Sequence, residues 1–328
     1  MSVTPLVWII TLAVTVAFFV YEFYAHVRKP HEPSIGEAAR WSAFYIGLAL
    51  LFGVGLGAVA GWTYGGEYFA GYLTEKALSI DNLFVFLLLM TSFAVPKIYQ
   101  QKVLMIGIVI ALILRGAFIA IGAGLIANFS WIFYLFGALL LVLAYRQAFA
   151  GDDHDPANGR FMTFVRRHLP VSDAYDGDRL TVVKDGRRFV TPMFLTIVAI
   201  GFIDLIFAVD SIPAIYGLTE EAYIVFTANA FALMGLRQLY FLIGGLLERL
   251  VYLAQGLAVI LGFIGVKLLL HALHVNELPF INGGEGVEWA PEIPIWLSLV
   301  FIGTTIAVAT AASLLKTRAD RRAEIDAG

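Results

Sequence analysis

Apolar runs of about 20 residues recur along most of the chain, and each is long enough to cross a bilayer core as a helix. Such segments fold in lipid only as helices that satisfy their own backbone hydrogen bonds. With 60% hydrophobic and 14% charged residues in 328, the composition agrees. The reading is an all-α polytopic membrane protein. Nine spans are expected, at about 5–24, 41–62, 70–95, 103–127, 130–149, 192–216, 222–246, 250–271 and 293–315. The first has no positive residue ahead of it and no small-residue cleavage site behind it, so it reads as a retained helix.

Lys and Arg sort by side. Arg28, Lys29 and Arg40 follow span one, and Lys97 and Lys102 follow span three. Seven more lie between Arg160 and Arg188, and the tail carries Lys316, Arg318, Arg321 and Arg322. The alternate connections, including residues 276–292, have none. The positive-inside rule then puts the N-terminus outside and the C-terminus in the cytoplasm of a bacterial inner membrane. Residues 150–191 form the one sizeable polar insert. Its "TVVKDGRRFV" predicts a hairpin turning at Asp185 and Gly186, and its "GDDHD" run reads as a solvated loop rather than a metal sensor.

Against this background, "EKALSIDNL" (75–83) and "DLIFAVDSI" (204–212) stand out, each with two acids six residues apart inside a span. A shift of 129 lays Glu75 on Asp204, Asp81 on Asp210 and Asn82 on Ser211. One helix further, a shift of 122 lays Leu114-Arg115 on Leu236-Arg237 and Ile121-Gly122 on Ile243-Gly244. Arg146 and Lys267 fall within one residue of register. Two three-helix units, 70–149 and 192–271, follow from this. An odd helix count inverts the second, which is a transporter arrangement. Residues 1–69 add two helices before the units, and 272–328 add an outer loop, a last helix and a basic tail.

Ionisable groups at mid-bilayer cost at least ~2.5 to 3.5 kcal/mol each and need a shared reason. Residues seven apart share a helix face, so a regular helix pairs Glu75 with Asn82 and Asp204 with Ser211. Pro213 strips Val209 of its helical donor, and two readings stay open: local unwinding that gathers both acids and a bare carbonyl, or a plain kink. Glu75, Asp81, Asp204 and Asp210 as ligands or proton carriers, with Asn82, Ser211 and Asn229 as auxiliary oxygens, make a hard donor set. It suits manganese, calcium or magnesium rather than zinc or copper. Lys76, Arg115, Arg146, Arg237 and Lys267 read as resting-state counter-ions, so charge counting alone favours no cation.

Weaker features have plainer readings. Glu22 reads as interfacial, His271 and His274 as interface residues, and Asn229 as equally a packing amide. "GVGLG" (53–57) and Gly61 to Gly65 read as close-packing devices. With no cysteine, disulfides, thiolate metal sites and thiol redox chemistry are excluded. A net charge of −3 suggests no polyanionic partner, and so no nucleic acid. No nucleophile, base and orienting group cluster, so an enzyme is not expected, nor a permanently bound cofactor.

"GYLTEKALSIDNLFVF" (71–86), "FAVPKIYQQKVL" (93–104), "FAVDSIPAIYGLT" (207–219), "FTANAFALMGLRQLYFL" (226–242) and "GLAVILGFIGVKLLLH" (256–271) resemble the TerC/Alx family of tellurium-resistance and metal-homeostasis membrane proteins. The resemblance covers nearly everything beyond span one. It implies a fold of paired three-helix units and export of manganese, with Glu75, Asp81 and Asp210 handling the ion. In the family pattern another acid stands three residues before Asp204, where this chain has Gly201.

The expected function is therefore export of manganese or a similar hard divalent cation from the cytoplasm in exchange for protons. The rivals are a tellurite-type oxyanion transporter reading the arginines as its site, and a non-transporting scaffold recruiting protein partners through residues 150–191.

Overall fold

The computed structural model describes residues 3–24, 33–149, 160–172, 175–184, 187–243, 250–287 and 289–327. Among the described residues the chain is all-α apart from one hairpin. Its helices are α1 (Pro5–Glu22), α2 (Ile35–Ala60), α3 (Trp62–Ser92), α4 (Lys97–Asn128), α5 (Ile132–Phe149), α6 (Arg160–His168), α7 (Pro192–Tyr216), α8 (Ala222–Leu233), α9 (Leu236–Ile243), α10 (Leu253–His274) and α11 (Ile295–Ala327). Among the described residues, eight helical segments are long and apolar enough to cross a membrane. The 31-residue α3 is as long, but Glu67, Glu75, Lys76 and Asp81 make it more charged than the apolar stretches of those segments. It packs against α2, α7, α8 and α11, so its polar residues face protein and not lipid.

Local signals set the helix starts. Thr4 caps α1 ahead of Pro5, Ser34 accepts the Glu37 amide to cap α2, and Thr191 accepts the Phe194 amide to cap α7 ahead of Pro192. Hydrogen bonds near the helix ends show which ends share a face. On one, Thr219 donates to Glu67 at 2.5 Å, Ser130 to Glu277 at 2.7 Å and Tyr134 to Asn276 at 3.1 Å. On the other, the basic face, Arg237 of α9 links Glu22 at the end of α1 to Gln101 near the start of α4, and Lys102 meets Asp178.

Close approaches of small residues define the bundle. At α2–α3, Gly61 has φ of +115°, which only glycine adopts freely, and it folds the two helices back so that Gly65 lies on the Gly57 backbone. At α5–α10 the approach is reciprocal: a Cβ on Gly137 would lie 3.0 Å from the Gly265 carbonyl, and one on Gly265 would lie 3.1 Å from the Gly137 carbonyl.

The hairpin pairs β1 (Thr181–Lys184) antiparallel with β2 (Arg187–Val190), joined by the two residues expected at the turn, which themselves lie outside the described residues. The "GDDHD" run also lies outside them. The insert is fastened to the end of α3 and the start of α4: Tyr175 donates to the Phe93 carbonyl at 2.7 Å, and Lys102 Nζ meets Asp178 at 2.5 Å.

Two differences from the sequence reading follow from backbone chemistry. Pro213 causes no unwinding, and α7 runs through it to Tyr216. The broken span is the seventh, where Met234 and Gly235 separate α8 from α9 and Gly235 has φ of +76°.

Two predictions follow. Gly265→Val should cost about 1 to 3 kcal/mol by overpacking, seen as a lowered unfolding midpoint in detergent, and an unchanged midpoint would show that α5 and α10 do not meet this way. Lys102 holds the Asp178 carboxyl below its ordinary value. The tether is therefore fully present above about pH 4 and is lost only as pH falls through that lowered value. Proteolysis of the insert should be constant from pH 5 to 8 and should rise in Lys102→Ala.

Candidate functional site

Three helices meet at Arg115 of α4, which has no solvent exposure. Its fork faces α7: Nε donates to Asp204 Oδ2 at 3.2 Å and Nη2 to Asp204 Oδ1 at 3.1 Å, a bidentate pair. Nη1 turns to α3 and donates to Glu75 Oε1, and it also reaches Ser211 Oγ at 3.3 Å. Glu75, Asp204 and Ser211 are themselves buried. The helical spacing read from sequence thus places Asp204 and Ser211 on one face, and Arg115 occupies that face. Gly107 against Ile200 and Gly122 against Tyr216 bring α4 and α7 close enough for the fork to reach.

Glu75 Oε2, Thr74 Oγ1 and Ser79 Oγ on α3, and both amide atoms of Asn229 on α8, are buried with no hydrogen-bond partner among the described residues. Gly71 lies against Ala228, so α3 and α8, the two helices that carry these atoms, pack closely together. Buried polar atoms are rarely left unpaired, because each forfeits its hydration. Lys76 Nζ donates to the carbonyl of Ala232 at 3.0 Å, an acceptor that the break at Met234 and Gly235 has freed.

The remaining expected site residues are spread around this centre. Asp81 is half-buried, accepts from Gln147 Nε2 of α5 at 3.1 Å, and lies within electrostatic reach of the half-buried Asp210. Asn82 is buried. Among the described residues no three His, Asp or Glu side chains converge as a ready metal cluster.

The arginine and lysine assignments need correction. Arg237 does not share the acids with Arg115. It pairs with Glu22 at 3.2 Å and donates to Gln101 at 2.9 Å, and Gln101 lies about 21 Å before Arg115 along α4. Glu22 is not interfacial but 2% exposed, and its Oε1 also accepts from Tyr45 at 3.0 Å and from Gln238 at 2.8 Å. The sequence reading missed Tyr45, Gln101 and Gln238, although each is a polar group inside or next to an apolar span. Lys267 has Glu67 as its electrostatic partner near the opposite face, and Arg146 is exposed. His271 faces Glu220 at 2.9 Å and His274 faces Glu292 at 3.6 Å, so the two histidines do not converge. The His271 bond holds the Glu220 carboxyl below its usual range.

At Gly201 an added Cβ would stand 3.2 Å from Ile110, so α4 closes the place where the family pattern has an acid.

A polytopic helical bundle with a charged, dry centre built from three helices is the class this geometry defines. The chain belongs to the integral membrane protein TerC family, whose model matches residues 60–321. It is 48% identical over 323 residues to an uncharacterized membrane protein of Mycobacterium tuberculosis, covering 97% of this chain and 81% of that one. A Myxococcus xanthus membrane protein is 34% identical over 325 residues, covering 99% and 97%. A protein of Escherichia coli named as a membrane-bound redox modulator, Alx, is 38% identical over 277 residues, covering 81% and 86%. No solved structure matches.

Removing the guanidinium tests the centre. Arg115→Met should cost about 3 to 5 kcal/mol, because it leaves two buried carboxylates unpaired. Adding Glu75→Gln and Asp204→Asn should restore most of that. Unfolding in micelles reads both variants, and a single variant as stable as the parent would contradict the pairing.

Proposed function

We propose that this protein is a secondary transporter exporting a hard divalent cation, manganese foremost, from the cytoplasm in exchange for protons. The observation that carries the reading is a set of buried oxygens with no partner among the described residues, Glu75 Oε2, Thr74 Oγ1, Ser79 Oγ and Asn229 Oδ1, on two helices that pack together, with Glu75 itself bridged to Asp204 by one arginine. Such atoms are costly unless a proton, water or cation serves them in part of the cycle.

Charge placement supports a cation. With Arg237 paired to Glu22, Lys267 partnered by Glu67, and Arg146 exposed, the central layer holds Glu75, Asp81, Asp204 and Asp210 against Arg115 and Lys76. Two formal negative charges remain uncompensated when all four acids are ionised. The donors are all oxygen, which favours manganese, calcium or magnesium over softer ions.

In this reading Arg115 neutralises Glu75 and Asp204 in the resting protein. A cation arriving at Glu75 Oε2 and the neighbouring oxygens makes the Arg115 bond to Glu75 redundant and loosens the tie between α3 and α4. Asp81 and Asp210 flank the pair on their own helices and pass protons or the ion along. The inverted repeat accounts for alternating access; the reciprocal approach of Gly137 and Gly265 and the twin placing of Glu75 and Asp204 about one guanidinium support it. The distribution of Lys and Arg supports a cytoplasmic basic face and an outer N-terminus. An oxyanion reading fares worse, because the Arg115 fork is filled by carboxylates. The redox-modulator name of the Alx relatives finds no thiol here, since the chain has no cysteine.

Liposomes containing the purified protein should move manganese when a pH gradient is imposed, with zinc moved least. Asp81→Asn and Asp210→Asn should each lower that flux more than tenfold, an effect of about 1.4 kcal/mol or more on the transport barrier, while leaving the protein folded. Parental flux in either variant would overturn the site.

A further inference from the structure

The sequence overlay pairs Arg115 with Arg237, Glu75 with Asp204 and Asn82 with Ser211. Arg115 uses both acids and Ser211. A twofold operation on those contacts would give Arg237 the same two acids and Asn82. In the structure Arg237 instead takes Glu22, a residue of α1, which stands outside both three-helix units and outside the family-matched residues 60–321.

The register of the helices nevertheless sets the Arg237 backbone between the levels of its symmetry partners, although its guanidinium reaches to Gln101 and Glu22. Gly71 lies against Ala228, and Lys76 bonds Ala232, so α3 and α8 run side by side with an offset of 156 to 157 residues. That offset brings Arg237 level with Ile80 and Asp81, between Glu75 and Asn82, and α3 touches α9. Arg115 stands in the equivalent place on α7, between Asp204 and Ser211.

The means of movement are present as well. Arg237 begins α9 just past the Met234 and Gly235 break, and Tyr45, which donates to Glu22, packs directly over Gly235. The Arg237 Nε and Gln238 Oε1 atoms are buried without partners among the described residues, so Glu22 and Gln101 leave part of this cluster's hydrogen-bonding capacity unused. A cavity of about 10 Å³, room for one water, opens there and is lined by Ala38, Trp41, Gln101, Arg237 and Gln238.

We propose that Glu22 is a parking carboxylate: it holds Arg237 at the basic face while Arg115 occupies the acid pair, and in the opposite conformation Arg237 leaves it for Glu75 and Asn82. The two arginines then alternate on one set of acids, and α1 supplies the waiting position. Tyr45, Gln101 and Gln238 are positioning residues for that state. This rests on the transporter reading above, but its test does not depend on flux.

The chain has no cysteine, so Ala38→Cys, 1% exposed beside Arg237, is a single reporter in the full-length protein. A membrane-impermeant maleimide applied to the basic face of proteoliposomes reads its opening. Glu22→Gln should raise the labelling rate roughly tenfold, as expected when about one charge-assisted hydrogen bond is lost from the parked state. Combining it with Glu75→Gln, which removes the destination, should return the rate toward the parent's. Gln101→Met, which takes one acceptor from Arg237 and changes no charge, should act in the same direction and serves if Glu22→Gln fails to fold.

An unchanged rate in the folded variants, or an equal rise when Arg237→Gln is already present, would overturn the proposal. Manganese flux of the reporter parent, measured in the same vesicles, separates the two ideas. Flux with flat labelling removes the parking role alone, and the labelling pattern without flux removes the transport reading alone.

Discussion

A guanidinium that cannot give up its proton, held out of water between carboxylates from two different helices, governs how this bundle closes. The Arg115 fork must be met by acceptors in a medium where an unmet charge costs several kcal/mol. Asp204 meets two of its nitrogens and Glu75 a third, so α3, α4 and α7 are fixed at distances set by hydrogen-bond lengths. The small residues along the same helices follow from that requirement: Gly71, Gly107 and Gly122 each leave room for a neighbouring side chain, because the backbones must come close for the fork to reach. A larger residue at Gly107 or Gly122 would run into Ile200 or Tyr216 and push α4 away from α7.

The same dryness makes the unfinished parts of the centre informative. A saturated network would be a rigid strut. Here one oxygen of Glu75 and the whole amide of Asn229 are left over on the α3–α8 seam, while Lys76 spends its charge on the carbonyl released at the Met234 and Gly235 break. A helix interruption placed next to unspent polar capacity is the arrangement in which membrane proteins put irregular backbone to use, since such backbone is tolerated only where protein or a water-filled cavity surrounds it.

Most of the architecture was legible in the sequence, because bilayer thickness and backbone satisfaction leave helices few alternatives. The spans, the hairpin between Thr181 and Val190, and the shared face of Asp204 and Ser211 all follow from period and composition. What escaped was three-dimensional partnering. Pro213 drew attention because proline always signals a lost hydrogen bond, yet that loss sits near a helix end, where α7 tolerates it. Gly235, in the apolar run "ALMGLRQL", gave no comparable signal, although its positive φ is what divides the span. Glu22 looked interfacial because it ends an 18-residue apolar helix. Only the fold shows three donors converging on it from α2 and α9. The pairing of Arg237 with that residue could not be read from internal similarity, which predicts partners inside the repeated units.

The polarity of α3 has a consequence for biogenesis. Its four ionisable residues would together cost on the order of 10 kcal/mol in bare hydrocarbon, so the nascent segment cannot partition stably by itself. Arg115 is synthesised 40 residues after Glu75, and Asp204 a further 89. Until they arrive, α3 must wait at the translocon or the lipid surface, sheltered by α2 through the tight Gly61 turn. The ribosome therefore has to deliver more than half of the polypeptide before its third hydrophobic segment can settle, and the order of membrane integration differs from the order of translation.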